Sequence, residues 1–366
     1  MSGSIETNSG RKSGTIGAKV AGPTISASDP STSTNAELGT QWANSTSGEF
    51  YILTDATTDA NVWTNVGSGS GDIGFLWGGT RGIVAGGYSA VVTIDYITIA
   101  STGNATDFGD LSFGRRWSGT CSNVTRGVFA CGNTDWSTYF NSIDYITVAS
   151  TGNATDMGDL NITGTSLGGV SDGSRGVFGM NYNGSGVTNV MDYITIATHS
   201  GTATDFGDLT QARYGGASFN DVTRGVFSGG SPTGGATNTI DYITIQSTGN
   251  ATDFGDLTGS ARYYAFIGGA CDTTRGLTAG GDSGSGNVDE IDYTTIATTG
   301  NSSDFGNLQS AKSGGGCGSS GVRAFFGGSS AGTNETDFVT IQTTGNATDF
   351  GNLSTSPQAS FGTAGG

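Results

Sequence analysis

The chain has 366 residues, of which 66 are Gly and only four are Pro, and its formal net charge is −17. This charge argues against a basic surface for nucleic acid or anionic lipid, so we expect neither nucleic-acid binding nor membrane insertion. Gly does not recur at every third position, which excludes collagen, and no apolar run approaches the length of a membrane span or of a signal-peptide core. Abundant Gly, Ser, Thr, Asn and Asp with few helix-forming residues predict short strands joined by tight turns.

Residues 1–36 are polar and poor in aromatic side chains. The segment has too little apolar surface to fold alone, because the conformational entropy lost on ordering it outweighs the free energy gained by burying its apolar side chains. Its few apolar residues, such as Ile16 and Val20, are spaced so that they can lie extended along a partner. We interpret residues 1–36 as an extended attachment arm that contacts other proteins of an assembly; the alternative is a tail without a role.

Residues 37–66 differ in composition from everything that follows. A strand beginning at Trp42, a turn, the alternating run FYILTD and the run NVWTNV predict a small β module. Trp42 and Trp63 are expected to form its miniature core. Residues 67–72, GSGSGD, are predicted to be a flexible Gly/Ser linker.

The region 73–353 consists of six repeats with a period of roughly 48 residues. The string IDYITIASTGNATDFGDL at Ile94–Leu111 recurs from Ile143, Met191, Ile240 and Ile291, and a degenerate sixth copy begins at Thr336. A second string, TRGVFSGG or a close variant, recurs with the same period. Two phased signals at this period favour propeller blades over helical solenoids.

Each repeat contains four candidate strands, which we call a to d. In residues 210–257 they are YGGASF, RGVFSGG, IDYITI and TDFGDL. Strand a is rich in small residues, as expected where the innermost strands crowd around an axis. The fold class expected is therefore all-β: a six-bladed β-propeller preceded by the arm and the small β module. The C-terminal segment 354–366 resembles strand a and is predicted either to close the first blade or to form an extra strand.

The strand pattern resembles the kelch repeat. A Gly-Gly pair closes strand b, aromatic residues occupy strands c and d, and a basic residue follows. Strand d has Phe or Met where kelch repeats usually have Trp, and GMN replaces the Gly pair at Gly179–Asn181. The likeness is to a kelch-like pattern, and it covers about four-fifths of the chain.

Three strings, ETNSGRKSGTIG, WANSTSGEFYILTDATTDANVWTNVG and GNATDFGDLT, are similar to segments of tail-fibre and other structural proteins of marine tailed bacteriophages, especially cyanophages. This resemblance implies a virion surface location, in many copies or as a homo-oligomer, with the arm contacting other virion proteins. It implies an adhesin or tail-fibre component that binds host-surface polysaccharide or another receptor. The alternatives are a capsid decoration or knob protein and a polysaccharide depolymerase.

One arginine opens strand b in every repeat. The six residues are Arg81, Arg126, Arg175, Arg224, Arg275 and Arg323. An aspartate opens strand d equally often, and both lie beside turns on the same side of the repeats. We expect a structural ring of Arg–Asp pairs, such as Arg224 with Asp253 or its counterpart in an adjacent blade, that keeps the blades in register.

The loops between strands b and c, and those between strand d and the next strand a, differ in every repeat, whereas the other turns are nearly uniform. Variation confined to one side of a uniform scaffold is typical of binding surfaces. The candidate binding residues all lie in the second repeat: Arg115, Arg116, Trp117, Trp136, Tyr139 and Phe140. They suit a glycan or protein contact, and the alternative is an aromatic plug that caps the propeller.

No catalytic residues are predicted, because no nucleophile elbow, phosphate loop or distinctive carboxylate pair occurs. We therefore expect a protein that is not an enzyme and that has no metal or cofactor. Cys121 and Cys131 fall in neighbouring predicted strands; small buried thiols are the interpretation we favour, and a disulfide is the alternative.

Overall fold

The computed structural model describes residues 23–46, 49–66, 80–89, 91–135, 137–233, 235–357 and 359–365. Throughout these ranges the regular structure is β-strand, with no helix, so the prediction of an all-β protein is confirmed. The chain divides into two compact units, Met1–Gly74 and Phe75–Gly366. Each is described below by itself.

The first unit contains one four-stranded sheet with the order β1–β2–β3–β4. Its strands are β1 (Thr24–Ser26), β2 (Gln41–Asn44), β3 (Phe50–Asp55) and β4 (Val62–Asn65). Strand β1 is parallel to β2, and the other neighbours are antiparallel. The rings of Trp42 and Trp63 meet edge to face with centroids 5.8 Å apart, as expected for the small core. Leu53 is the one apolar residue of the described part of this unit that is fully buried.

The boundary predicted between the arm and the β module, after residue 36, is wrong. Strand β1 lies within the predicted arm, yet it belongs to the sheet of the module. The segment that follows is also tied to the sheet: Asn61 Nδ2 donates to Asn35 Oδ1 over 2.6 Å, and Trp42 Nε1 donates to the carbonyl oxygen of Ser28 over 2.9 Å. The sequence did not predict these contacts, because they are made by isolated polar residues that follow no periodic pattern. Residues 1–22 of the predicted arm, and the predicted linker 67–72, lie outside the described residues.

The second unit is built from the remaining strands. In chain order they are β5 (Arg81–Ala85), β6 (Thr93–Thr98), β7 (Thr106–Asp110), β8 (Gly119–Ser122), β9 (Arg126–Asn133), β10 (Tyr139–Thr147), β11 (Thr155–Gly164), β12 (Gly168–Ser171), β13 (Arg175–Gly179), β14 (Asn181–Tyr182), β15 (Val187–Thr188), β16 (Val190–Thr195), β17 (Thr204–Asp208), β18 (Ala217–Asn220), β19 (Arg224–Ser228), β20 (Thr239–Thr244), β21 (Thr252–Asp256), β22 (Arg275–Ala279), β23 (Glu290–Thr295), β24 (Ser303–Asn307), β25 (Gly316–Ser319), β26 (Arg323–Gly327), β27 (Glu335–Thr340), β28 (Thr348–Asn352) and β29 (Phe361–Gly365).

These strands form six small antiparallel sheets, numbered here by repeat. Sheet 1 is β29–β5–β6–β7, sheet 2 is β8–β9–β10–β11, sheet 3 is β12–β13–β16–β17, sheet 4 is β18–β19–β20–β21, sheet 5 is β22–β23–β24 and sheet 6 is β25–β26–β27–β28. Strands β14 and β15 form a separate hairpin. In sheet 5 the position of strand a is taken by isolated bridges at Ile267, Gly269 and Cys271. The four strands predicted for residues 210–257 agree with β18 to β21 to within three residues at each end.

The C-terminal strand belongs to the first repeat. β29 pairs antiparallel with β5, from Phe361 opposite Ala85 to Gly365 opposite Arg81. The segment 354–366 was predicted either to close the first repeat or to form an extra strand. The structure shows the first alternative, because the C-terminus supplies strand a of sheet 1. The segment IGFLWGG, which was the competing candidate, lies outside the described residues.

The buried apolar residues described in this unit form six clusters, and each combines side chains of two consecutive sheets; the cluster of sheets 1 and 2 also includes Ile267 of the fifth repeat. Val128 of sheet 2 packs with Phe178 of sheet 3, for example, and Val84 of sheet 1 packs with Phe325 of sheet 6. The succession of clusters thus runs from sheet 1 to sheet 6 and returns to sheet 1. Strands b and c bury side chains on both faces because each sheet has a neighbour on either side.

The uniform turn between strands c and d has a structural purpose, since it pairs with the outer strand of the preceding sheet. Gly152 N donates to the carbonyl oxygen of Phe108, and Ala154 N donates to that of Asp110, both over 2.8 Å. Asn153 Oδ1 accepts a third bond from Asp110 N. Equivalent contacts join the other consecutive sheets, including sheet 6 to sheet 1 through Gly103 N and the carbonyl oxygen of Phe350. The repeated TGN sequence therefore reflects contacts between sheets.

The glycine of the FGD motif is needed at the same junction. Gly255 has φ +145°, and a Cβ there would lie 2.5 Å from the carbonyl oxygen of Gly300 in the next sheet. We expect Gly255→Ala to lower the free energy of unfolding by about 2–4 kcal/mol, because it adds backbone strain and an overpacked contact. The control is Gly186→Ala, in a loop where a Cβ meets nothing within 4 Å. Chemical denaturation measures both, and equal stability of the two variants would contradict the assigned junction.

Candidate functional site

A buried ion-pair layer fixes the loops on the variable side of the sheets. The aspartate that opens strand c is almost fully buried in all six sheets: Asp95, Asp144, Asp192, Asp241, Asp292 and Asp337. In four sheets it pairs with a buried cation from the preceding d–a loop: Arg115 with Asp144 at 2.9 Å, Arg213 with Asp241 at 2.7 Å, Arg262 with Asp292 at 2.6 Å and Lys312 with Asp337 at 3.0 Å. Each pair anchors a d–a loop to the middle of a sheet.

The two other aspartates are satisfied by neutral donors. Asp95 accepts hydrogen bonds from the amide and hydroxyl groups of Ser354, and Asp192 accepts them from the amide and side chain of Asn161. Burial raises the pKa of both carboxyl groups, and these hydrogen bonds oppose that rise. The same aspartate therefore holds the d–a connection in every sheet, with or without a cation.

The structure corrects the predicted binding role of three residues in the second repeat. Arg115, Arg116 and Trp117 are 0%, 1% and 6% exposed, so they support the surface from below and do not present their side chains to a ligand. The Arg116 guanidinium lies between the rings of Tyr88 and Trp117, at 4.4 and 4.6 Å. The sequence placed these residues in a loop, and loops are normally exposed. It could not show that this loop folds inward onto Asp144.

Of the other three predicted binding residues, two are described by the structure. Trp136 lies outside the described residues. Tyr139 is half-buried and contacts the ring of Tyr182 at 6.0 Å. Phe140 is also half-buried and packs against Phe113, at 4.5 Å between ring centroids.

Tyr139 belongs to a chain of aromatic side chains that crosses the variable loops of several sheets. We call this set the aromatic surface: Tyr88, Trp117, Tyr139, Tyr182, Tyr214, Tyr263 and Tyr264. Tyr182 contacts Tyr214 at 5.5 Å, and Tyr214 contacts Tyr264 at 5.7 Å. Trp117 of the second repeat stacks on Tyr264 of the fifth repeat, 4.8 Å apart and with 11° between the ring planes. This buried stack matches the plug alternative for Trp117, while the tyrosines around it remain accessible.

The tyrosines of this surface present both apolar rings and neutral hydroxyl groups. Tyr182, Tyr214, Tyr263 and Tyr264 are half-buried, and Tyr88 is 47% exposed. Burial raises the pKa of Tyr139, Tyr263 and Tyr264, so their phenol groups stay uncharged at neutral pH. An extended patch of neutral tyrosines suits stacking against an amphipathic ligand such as a sugar chain.

Sequence reasoning missed five members of the aromatic surface because it considered the second repeat alone. A signal was present: a basic residue recurs in the d–a loops, and aromatic residues follow it within two positions in Arg115-Arg116-Trp117, Arg213-Tyr214 and Arg262-Tyr263-Tyr264. Aligning the repeats on this basic residue brings Trp117 and Tyr264 to the same position. Both have positive φ there, with values of 52° and 51°.

The six arginines that open strand b have partners other than those predicted. Each donates from Nη1 to a main-chain carbonyl oxygen of the next sheet, as in Arg224 to Ile296 over 3.1 Å and Arg323 to Ala100 over 2.9 Å. Each guanidinium also lies over an aromatic ring of its own strand c, 4.1–4.8 Å from the centroid. The predicted pairing with Asp253 and its equivalents is wrong. Strand c lies between strands b and d, so the two side chains start about 10 Å apart.

We expect Arg224→Lys to lower the free energy of unfolding by about 1–2 kcal/mol, because an ammonium group cannot both lie flat on Tyr242 and reach the Ile296 carbonyl. The matched control is Asp253→Asn, at the residue of the rejected ion pair. That variant should stay within about 0.5 kcal/mol of the unmodified protein in urea unfolding. A larger loss for Asp253→Asn than for Arg224→Lys would restore the ion-pair explanation.

Two kinds of cavity are alternative candidates for a ligand-binding site. A cavity among the innermost strands, lined by residues including Thr120, Ser171 and Asn220, has a volume of about 20 Å³. That is room for about one water molecule and too small for a sugar. On the turn side, the clefts at Thr340–Thr348 and Tyr193–Thr204 have nearly equal volumes of about 240 and 250 Å³. They occupy equivalent positions in two repeats, so they follow from the repeat geometry.

All four cysteines are free and buried, and burial raises the pKa of Cys121 and Cys131 far above the usual range, which leaves these thiols inert. Among the residues described, no group of three or more His, Cys, Asp or Glu side chains is arranged to hold a metal ion. The same ranges contain no helix long and apolar enough to cross a membrane.

No protein-family model and no curated protein matches the chain.

Proposed function

We propose that the second unit is a six-bladed kelch-like β-propeller. The support is the succession of contacts around the six sheets. Clusters of buried side chains, turn-to-strand hydrogen bonds and arginine contacts each connect sheet 1 to sheet 2 and so on to sheet 6, and each series also connects sheet 6 to sheet 1. Strand β29 then closes the propeller by combining the C-terminus with strands from the first repeat.

We further propose that the protein is a non-enzymatic virion surface protein of a tailed bacteriophage, an adhesin or tail-fibre component that binds host-surface polysaccharide. The virion location rests on the resemblance of its strings to phage structural proteins. The binding role rests on one observation, the aromatic surface on the variable side of an otherwise uniform scaffold. Aromatic anchors grouped on a rigid framework are a common basis of recognition.

The architecture separates support from recognition. The turn side carries the repeated TGN contacts and the six arginines, which hold consecutive sheets together. The opposite side carries loops that differ in each repeat, anchored from below by the buried ion pairs. Loops anchored in this way can vary in sequence without moving the strands, and a ligand then meets tyrosines that are already in place.

The test is binding of fluorescently labelled protein to intact host cells. We expect the double variant Tyr182→Ala/Tyr214→Ala to bind at least about tenfold more weakly, since it removes two adjacent stacking groups. Its melting temperature should remain near that of the unmodified protein because both rings are only half-buried. The control Val222→Ala/Val322→Ala removes exposed apolar side chains from the turn side and should bind normally.

Two results would count against the binding role. Undiminished cell binding by the double variant would remove the aromatic surface from recognition. A large fall in melting temperature without any binding defect would favour the capping plug. Copy number per virion separates the adhesin from the capsid decoration protein, since a fibre is present in few copies and a decoration protein in hundreds.

A further inference from the structure

The charges around the aromatic surface restrict the kind of glycan that it can accept. The second unit has eleven basic residues, and all of them are described. Six are the half-buried arginines that open strand b on the turn side. The other five, Arg115, Arg116, Arg213, Arg262 and Lys312, lie beneath the variable loops and are at most 3% exposed. The described part of the variable side therefore exposes no cation.

The buried cations are also engaged within the protein. Four of the five form the ion pairs with the aspartates of strand c, two of them with a second carboxylate from Glu290 or Glu335. Arg116 is held between two aromatic rings and donates to Asn133 Oδ1 over 3.3 Å. Freeing one of the four ion-paired cations for a ligand would leave a buried carboxylate without its partner, which is strongly unfavourable.

Carboxylates, in contrast, do reach the surface on this side. Asp135 is exposed, Asp282 is partly exposed beside Tyr263, and the side chains of Glu290 and Glu335 are 36% and 57% exposed. Hydrogen bonds from Ser137 and Thr138 hold the pKa of Asp135 below its usual value, so it is charged at neutral pH. A ligand that approaches the tyrosines thus meets negative charge with no accessible positive charge.

We propose that the aromatic surface binds glycans that carry no carboxylate, sulfate or phosphate group. Non-acidic sugar rings stack on the tyrosines and exchange hydrogen bonds with the phenol groups, whereas acidic sugars face like charges that nothing on this side compensates. This inference rests on the proposed glycan-binding function and narrows its ligand class.

The experiment is binding of the full-length protein to an array of oligosaccharides in which neutral chains are matched with uronic-acid and sulfated chains of the same length. We expect neutral chains among the bound probes, acidic chains bound at least about tenfold more weakly, and loss of the signal in Tyr182→Ala/Tyr214→Ala. For a bound neutral chain, raising NaCl from about 50 to 500 mM should change the affinity by less than about twofold, because no ionic contact is screened.

Three results are decisive. Preferential binding of acidic chains, or a steep loss of affinity with salt, would overturn the ligand class while leaving glycan binding intact. Binding of neutral chains that survives the double tyrosine substitution would place recognition elsewhere and overturn the inference. No binding to any chain would contradict the proposed glycan-binding function itself, and the inference would fall with it.

Discussion

Replacing Asp241 by Ala should lower the free energy of unfolding by about 3–5 kcal/mol, because it leaves the Arg213 guanidinium buried without its counter-charge. Both side chains are 0% exposed and their charged atoms lie 2.7 Å apart. The same carboxylate accepts a hydrogen bond from the Thr210 hydroxyl over 2.5 Å, so the d–a loop loses two anchors at once. Urea unfolding followed by tryptophan fluorescence measures the loss.

Two further variants make this result specific. Asp205→Ala removes an exposed aspartate from strand d of sheet 3 and should cost less than about 0.5 kcal/mol. Arg213→Met/Asp241→Leu replaces both charges by apolar groups and should be clearly more stable than Asp241→Ala. If Asp241→Ala unfolds at the same urea concentration as Asp205→Ala, the buried pair does not support the loop.

Removing residues 354–366 should abolish cooperative unfolding of the second unit, because sheet 1 then loses strand β29. Phe361 in this strand is fully buried and lies 5.5 Å from the ring of Phe129 in sheet 2. The strand also accepts a hydrogen bond from the Thr120 hydroxyl at the carbonyl oxygen of Gly362, over 2.6 Å. Its loss exposes apolar side chains of two sheets at once.

A point substitution gives a graded version of the same experiment. Phe361→Ala should cost about 3–5 kcal/mol, as for other fully buried phenylalanines. Phe140→Ala, at a half-buried ring on the variable side, should cost roughly 1 kcal/mol. Differential scanning calorimetry compares the variants. A sharp transition of unchanged enthalpy in the truncated protein would show that the C-terminal strand is dispensable.

The strands of the second unit could be predicted from the sequence because each is repeated with the same pattern. In sheet 4, the runs RGVFSGG and IDYITI coincide with β19 and β20 almost residue for residue. Strand β1 of the first unit was missed because TIS is short and unrepeated, and its pairing with β2 depends on a partner more than ten residues away.

Side-chain partners were harder to predict than strands. The recurrence of Arg224 and its equivalents indicated a structural role. The sequence pattern does not show how far apart strands b and d lie in the sheet, and the predicted ion pair with Asp253 is wrong for that reason. Arg115 was predicted to be exposed because charged residues in loops usually are. The aspartate that buries it, Asp144, lies 29 positions away in strand c, and only the folded sheet brings them together.

The most direct test of the binding role is hydrogen–deuterium exchange of the full-length protein with and without purified host-surface polysaccharide. We predict slower exchange in peptides that contain Tyr182, Tyr214 and Tyr263, and unchanged exchange in the uniform turns around Gly249 and Gly300. Protection of those turns without protection of the tyrosine peptides would contradict recognition by the aromatic surface.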